Sequence, residues 1–104
     1  MNQVKNVTPA INKQLLQVSQ AQSYRFLEQI MKTLDNDFSK IKKQDQKGIT
    51  NRFYKRFLQL KKEAHRVIKQ NVNGEIPPCN ERALFGEMVL LRDICITRLE
   101  KQRE

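Results

Sequence analysis

Apolar residues recur every three or four positions along most of this 104-residue chain, and this spacing constrains the fold more than any other feature. Such spacing lines up apolar side chains along one side of an α-helix, whereas a strand needs them at every second position. Three segments show it, with Leu27, Phe53 and Leu84 near their starts. No stretch alternates for long enough to predict a sheet, so we expect an all-α fold.

Two polar interruptions separate these segments. Residues 42–47 have no apolar member and lead into Gly48, a residue typical of helix ends. Residues 71–78 contain an Asn-Gly pair and a Pro-Pro pair, which do not continue a helix. We therefore predict a three-helix antiparallel bundle over residues 21–104.

The first 20 residues are expected to form an N-terminal extension or a first helical segment. Thr8 followed by Pro9 is typical of a helix start, since the hydroxyl caps the helix and proline suits its first position. Polar residues from Ser19 to Ser23 then interrupt the apolar spacing, so we expect either one long helix through this region or two helices with a bend between them. No acidic residue precedes Glu28, a composition that faintly resembles an organelle-targeting segment.

The last segment is apolar around much of its circumference from Leu84 to Ile96. A helix of this kind is buried on more than one side, either at the centre of a bundle or against another chain. Self-association through residues 84–99 is compatible with this pattern. The residues assigned to the core or to an apolar interface are Phe53, Phe57, Leu84, Phe85, Met88, Leu91 and Ile94.

The positive charge is concentrated in the middle of the chain. Between Phe38 and Lys69 there are eleven basic and two acidic residues, so this segment carries the whole net charge of +9. A surface of this charge attracts an acidic protein, a phosphate backbone or an anionic membrane. A well-solvated helix face that only keeps the protein soluble is the alternative interpretation.

The chemistry that an enzyme needs is absent from the sequence. His65 is the one histidine, and no second ligand is spaced to share a metal with it. Asp35 and Asp37 are two positions apart and do not share a helix face. Cys79 and Cys95 are too few for a disulfide scaffold, and we expect Cys95 to be a buried free thiol. We predict no catalytic residues, no metal site and no cofactor of the protein's own.

No apolar run reaches the roughly 18 residues that a membrane-spanning helix needs, so we expect no transmembrane segment.

Binding is the remaining class of function, and two kinds of partner fit. Phe53, Tyr54 and Phe57 lie among the cations of the basic segment, and such a mixture can stack bases while neutralising phosphates. Phe53 and Phe57 fall on the apolar stripe, so Tyr54 is the ring expected to face outward. Nucleic acid, either rRNA or DNA, is therefore one candidate, and an acidic protein is the other.

Three features in order resemble the LYR-motif family of mitochondrial proteins. Ser23-Tyr24-Arg25 stands where the family has Leu-Tyr-Arg, a basic helix with phenylalanines ends at Asn71, and Gly86-Glu87 follows. The resemblance covers about residues 21–99. It departs from the family at Ser23, in a longer first loop and in the helical segment before the motif.

The resemblance implies a small accessory subunit or adaptor of a larger complex, located in mitochondria, whereas without it a cytoplasmic location is expected. Family members dock onto an acyl carrier protein, whose acyl-phosphopantetheine chain threads between the helices. The residues that would meet this acidic partner are Tyr24, Arg25, Arg52, Lys55, Arg56, Lys62 and Arg66.

Overall fold

A computed structural model describes residues 11–71 and 76–103. These residues form four α-helices: α1 (Ile11–Ser19), α2 (Tyr24–Gln44), α3 (Asn51–Gln70) and α4 (Cys79–Arg103). No strand occurs in this part of the chain, so the predicted all-α class is confirmed. The predicted helix start at Thr8 and the Asn-Gly pair lie outside the described residues.

A bend before Tyr24, one of the two expected arrangements, separates α1 from α2. Ser23 has an extended backbone there, and its hydroxyl oxygen accepts a hydrogen bond from the amide of Phe26 at 3.3 Å. A serine at this position satisfies one of the amides that the first turn of a helix leaves without a partner. Ser23 therefore has a local role as the N-cap of α2, at the position where the resembling family has leucine.

Helix α4 lies at the centre of the packing, because it contacts α1, α2 and α3, while α2 also contacts α3. This arrangement explains why α4 is apolar on several sides, and it is consistent with a helical bundle. Among the described residues, no helix is both long and apolar enough to cross a membrane. The core contains, among others, Leu27, Leu34, Phe38, Ile41, Phe57, Ala64, Phe85, Met88, Val89 and Cys95.

A charged cluster is buried where α2 meets α4. The side chain of Arg92 is 0% exposed; it donates from Nη1 to Asp37 Oδ2 at 3.0 Å and from Nε to Asp93 Oδ1 at 3.0 Å. Burial raises the pKa of the Asp93 carboxyl, although the hydrogen bond from Arg92 opposes this rise. A buried cation is tolerated only with such partners, so the cluster restricts which faces of α2 and α4 can meet.

The connection between α2 and α3 is organised by one carboxylate. Asp45 accepts hydrogen bonds from the amides of Ile49 at 2.9 Å and Thr50 at 2.8 Å, and from the Thr50 hydroxyl. Thr50 is the N-cap of α3, but its hydroxyl points back to Asp45 and makes no capping bond. Gly48 has φ +73° in this turn, a conformation that glycine adopts without strain.

Candidate partner-binding surface

The cations of α3 lie on the side of the helix that faces away from the core. Phe57, Leu60 and Ala64 are buried on the opposite side. Because a helix turns about 100° per residue, an apolar stripe and a charged stripe of one helix occupy opposite sides. We call the charged side the basic face. Its members are all exposed and are Arg52, Lys55, Arg56, Lys62, Arg66 and Lys69.

Two arginines of the basic face are paired within the molecule. Arg56 Nε lies 2.9 Å from Glu87 Oε2 on α4, and Arg66 binds Glu63 on its own helix. The hydrogen bond from Arg66 lowers the pKa of the Glu63 carboxyl. Both pairs are exposed, and surface pairs of this kind exchange easily with other charges.

The three lysines of the basic face lie in one line along α3. Lys55, Lys62 and Lys69 follow one another at seven-residue steps, which sets their Cα atoms roughly 10 Å apart along one line. None of the three forms an ion pair within the described part of the chain. Their positive charge is therefore presented to solvent and available to an anionic partner.

The aromatic rings of this helix are turned toward the core. Phe57 is 1% exposed, and its ring centroid lies 4.0 Å from that of Phe38. Tyr54 is half-buried, with its ring 5.8 Å from Phe38, so the expectation that it faces outward is wrong. Phe53 is also half-buried, and the guanidinium groups of Arg52 and Arg98 lie over its ring at 4.7 and 5.2 Å.

A groove of about 580 Å³ opens between α2 and α3 beside these rings. Phe38, Tyr54 and Phe57 form its aromatic side, and Lys42 lies 5.3 Å above the Tyr54 ring. Lys43 and Lys61 also line the groove. A groove with aromatic walls and a lysine rim suits a ligand that has both an apolar part and a negative charge.

The sequence alone does not reveal this groove, because its lysines come from two helices. Lys61 is paired with Asp35 of α2 at 2.6 Å, which places both helices at the same rim. Neither helix reveals that contact by its own periodicity. The signal present in the sequence was the accumulation of cations at both ends of the α2–α3 connection.

The two residues of the Tyr-Arg pair have different environments. Tyr24 is 2% exposed, and its hydroxyl donates a hydrogen bond to Glu81 of α4. Arg25 is exposed and lines a small pocket of about 180 Å³ together with Glu28 and Ile68. In this structure Arg25 is on the surface and Tyr24 joins the starts of α2 and α4. Their contact with a partner stays a prediction.

The predicted apolar set divides between core and surface. Half-buried positions are occupied by Phe53 and Leu84, and Ile94 is 38% exposed. The remaining four are core residues of the bundle, namely Phe57, Phe85, Met88 and Leu91.

Among the described residues, the titratable groups form no cluster that could hold a metal ion. His65 is exposed on α3. Cys79 is exposed and Cys95 is buried, and both are free thiols, as expected for Cys95. Burial raises the pKa of the Cys95 thiol to about 12, so the group stays protonated at neutral pH. A protonated, enclosed thiol is a poor nucleophile and a poor metal ligand.

Comparison with known proteins gives no relative: no family model, no curated sequence and no solved structure matches the chain. The resemblance to the LYR-motif family stays a prediction that rests on the residues quoted for it.

Proposed function

We propose that this protein is a non-catalytic adaptor or accessory subunit that binds an acidic partner protein through its basic face. The observation that carries the proposal is the line of exposed lysines, Lys55, Lys62 and Lys69, which form no ion pair with an acidic residue within residues 11–71 and 76–103. Unpaired charge on a rigid helix attracts an oppositely charged surface and fixes the orientation in which it docks.

The proposal in its finer form is LYR-like. The helices α2, α3 and α4 are then the three-helix antiparallel bundle of that family, and α1 is an addition that packs on α4. The partner is an acyl carrier protein in a mitochondrial complex, and Arg25 meets its acidic helix. Tyr24 contributes by holding the start of α2 against α4 through its hydrogen bond to Glu81.

The groove between α2 and α3 supports this form of the proposal. An acyl-phosphopantetheine arm carries a phosphate at one end, a pantetheine segment with two amides in the middle and an apolar acyl chain at the other end. Lys42, Lys43 and Lys61 offer positive charge for the phosphate. The half-buried ring of Tyr54 offers an apolar wall, and it packs against Phe38 and Phe57, which are each 1% exposed. The protein itself needs no bound cofactor in this proposal, because the arm belongs to the partner.

Titration calorimetry with purified carrier protein in its apo, holo and acylated forms tests the proposal. We expect binding that weakens with salt, because exposed charge pairs are screened. The double variant K55E/K62E should bind at least about tenfold more weakly, since reversed charges repel an acidic surface. K13E changes an exposed lysine on α1, away from the basic face, and serves as the matched control.

Equal affinity of K55E/K62E and the unchanged protein would overturn docking through the basic face. Equal affinity for the apo and acylated carrier would remove only the role assigned to the groove. Lack of any carrier binding, with a different acidic protein bound through the same lysines, would leave the adaptor function and refute its LYR-like form.

Nucleic-acid binding is the second candidate, and the same line of lysines is what favours it. Phosphate contacts by Lys55, Lys62 and Lys69 would make the affinity fall with salt by about one unit of log-log slope per contact. The rings needed for base stacking are turned toward the core, with Phe57 buried and Tyr54 half-buried. This arrangement favours a protein partner over rRNA or DNA. Titration of labelled RNA and duplex DNA into the protein distinguishes the two candidates.

A further inference from the structure

One side of α4 is not covered by the rest of the chain that the structure describes. Leu90 is 41% exposed and Ile94 is 38% exposed there, although both are large aliphatic residues. The residues along this side are spaced by alternating steps of four and three, which is the spacing of a coiled-coil contact. We call this side the α4 seam. Its residues are Ala83, Glu87, Leu90, Ile94, Thr97 and Lys101, all exposed except the half-buried Glu87.

The charges of the seam differ between its two ends. Glu87 lies toward the N-terminal end, whereas Lys101 lies toward the C-terminal end beside the exposed Arg98. Two seams in parallel would set Glu87 against Glu87 and Lys101 against Lys101. Two antiparallel seams instead bring Glu87 of one copy close to Arg98 and Lys101 of the other. Antiparallel pairing therefore keeps the two cationic C-terminal ends apart, and Glu87, which is paired with Arg56 of its own copy, can exchange that partner for the cations of the other copy.

We infer that the α4 seam binds the α4 seam of a second copy of this chain, antiparallel, about a two-fold axis that passes near Arg92. In this register Leu90 of each copy packs against Ile94 of the other, and Ala83 faces Lys101. In a two-fold contact both copies use the same surface. A seam with an aliphatic pair at its centre and opposite charges toward its ends therefore makes the same favourable contacts for each copy.

The extent of the seam sets the strength of this dimer. From Ala83 to Lys101 the seam is roughly 27 Å long at 1.5 Å per residue, and it is one helix wide. A contact of this size falls below the roughly 1,200 Å² of total buried surface that stable complexes reach. The dimer is consequently weak and depends on protein concentration.

The pairing leaves most of the basic face free, because α3 packs on a different side of α4. The two surfaces adjoin at Arg56, which is paired with Glu87, and at Arg52, which lies over the same Phe53 ring as Arg98. The inference therefore does not depend on the proposed adaptor function, and a dimer can present two basic faces to acidic partners.

Sedimentation velocity of the full chain, from about 5 µM to about 500 µM, brackets the weak affinity expected for a contact of this size. We expect the weight-average mass to rise toward that of a dimer. L90E should remain monomeric throughout, and L58E is the matched control because Leu58 is 38% exposed on α3, outside the seam. Circular dichroism melts of both variants establish that they are folded.

A constant monomer mass up to the highest concentration would overturn the inference, as would a dimer that L90E does not weaken. Dissociation caused by L58E alone would place the contact on α3 and would also refute the α4 seam.

Disulfide trapping tests the register. In a C79S background, which removes the exposed thiol, a mixture of A83C and K101C variants should form a cross-linked heterodimer under mild oxidation. Neither variant alone should cross-link, because each cysteine then faces a residue without a thiol. Cross-linking of A83C alone would indicate parallel pairing and contradict the two-fold arrangement.

Discussion

The Asp45 side chain determines the geometry of the turn between α2 and α3. The carboxylate receives hydrogen bonds from two successive amides and one hydroxyl, those of Ile49 and Thr50. Burial acts to raise the pKa of Asp45, but the hydrogen bonds from Thr50 and Ile49 outweigh it, so its pKa is lower than the ordinary value of an aspartate. Asp45 therefore stabilises the folded state in its charged form.

Replacement of Asp45 by alanine should lower the free energy of unfolding by about 2 kcal/mol at neutral pH, since buried donors lose a charged acceptor. A carboxyl whose pKa is lowered by folding contributes stability above its unfolded pKa and loses it as pH falls through the folded pKa. The difference between the unchanged protein and D45A should thus be constant near neutrality and shrink below about pH 4. Urea unfolding over this pH range measures it.

Asp35→Ala is the control for this measurement, because Asp35 is an α2 carboxylate at a half-exposed position, paired with Lys61. Its loss should cost less than about 1 kcal/mol, as for other partly exposed ion pairs. An equal loss of stability in D35A and D45A would mean that Asp45 contributes only as one negative charge among others, and not through its hydrogen bonds in the turn.

At the scale of the elements, the periodicity of the apolar residues predicted most of the helical segments. The buried stripe of α3 runs from Phe57 to Ile68, and Phe53, which the sequence places on the same stripe, is half-buried. The polar turn through Gly48 was also predicted, because turns depend on local chemistry. The predicted contacts of a partner with the basic face remain to be tested, since exposure alone does not identify a ligand.

The buried charges were missed for a physical reason. Asp37 lies seven residues after Ile30, and Arg92 lies seven residues after Phe85, so each continues a buried line. That spacing was the available signal. Periodicity identifies a buried helix face by its apolar residues and assigns charged residues to solvent. Only the packing of α2 against α4 reveals that these buried charges compensate each other.

The Arg92 cluster should control how α2 and α4 fit together. Replacement of Arg92 by methionine leaves Asp37 and Asp93 buried without their cation and should cost about 3 kcal/mol or more. The triple variant D37L/R92M/D93L removes all three charges and should recover most of that loss, because an apolar cluster avoids desolvation altogether. Thermal and urea unfolding of the two variants measure the recovery.

A triple variant no more stable than R92M would show that the hydrogen bonds of the cluster contribute stability that packing cannot replace. That outcome would contradict the explanation by uncompensated charge.

At the scale of the whole molecule, the charge distribution opposes stability and supports binding. The net charge of +9 arises from one central segment, and Lys55, Lys62 and Lys69 repel one another along α3. Self-repulsion raises the free energy of the compact state, and a partner of opposite charge relieves it. The same lysine side chains therefore lower the stability of the isolated protein and favour the proposed binding of an acidic partner.

Lys62→Glu tests this conflict directly. The new carboxylate lies four residues before Arg66, a favourable spacing on a helix, so the isolated protein should gain a few tenths of a kcal/mol. The same change should weaken binding of an acidic partner, because it reverses a charge at the centre of the basic face. K13E again provides the control, with little effect on either quantity. Unfolding curves at low salt and calorimetry with the partner measure the two effects. If K62E left binding intact while stabilising the chain, Lys62 would be a solvated surface residue with no part in recognition.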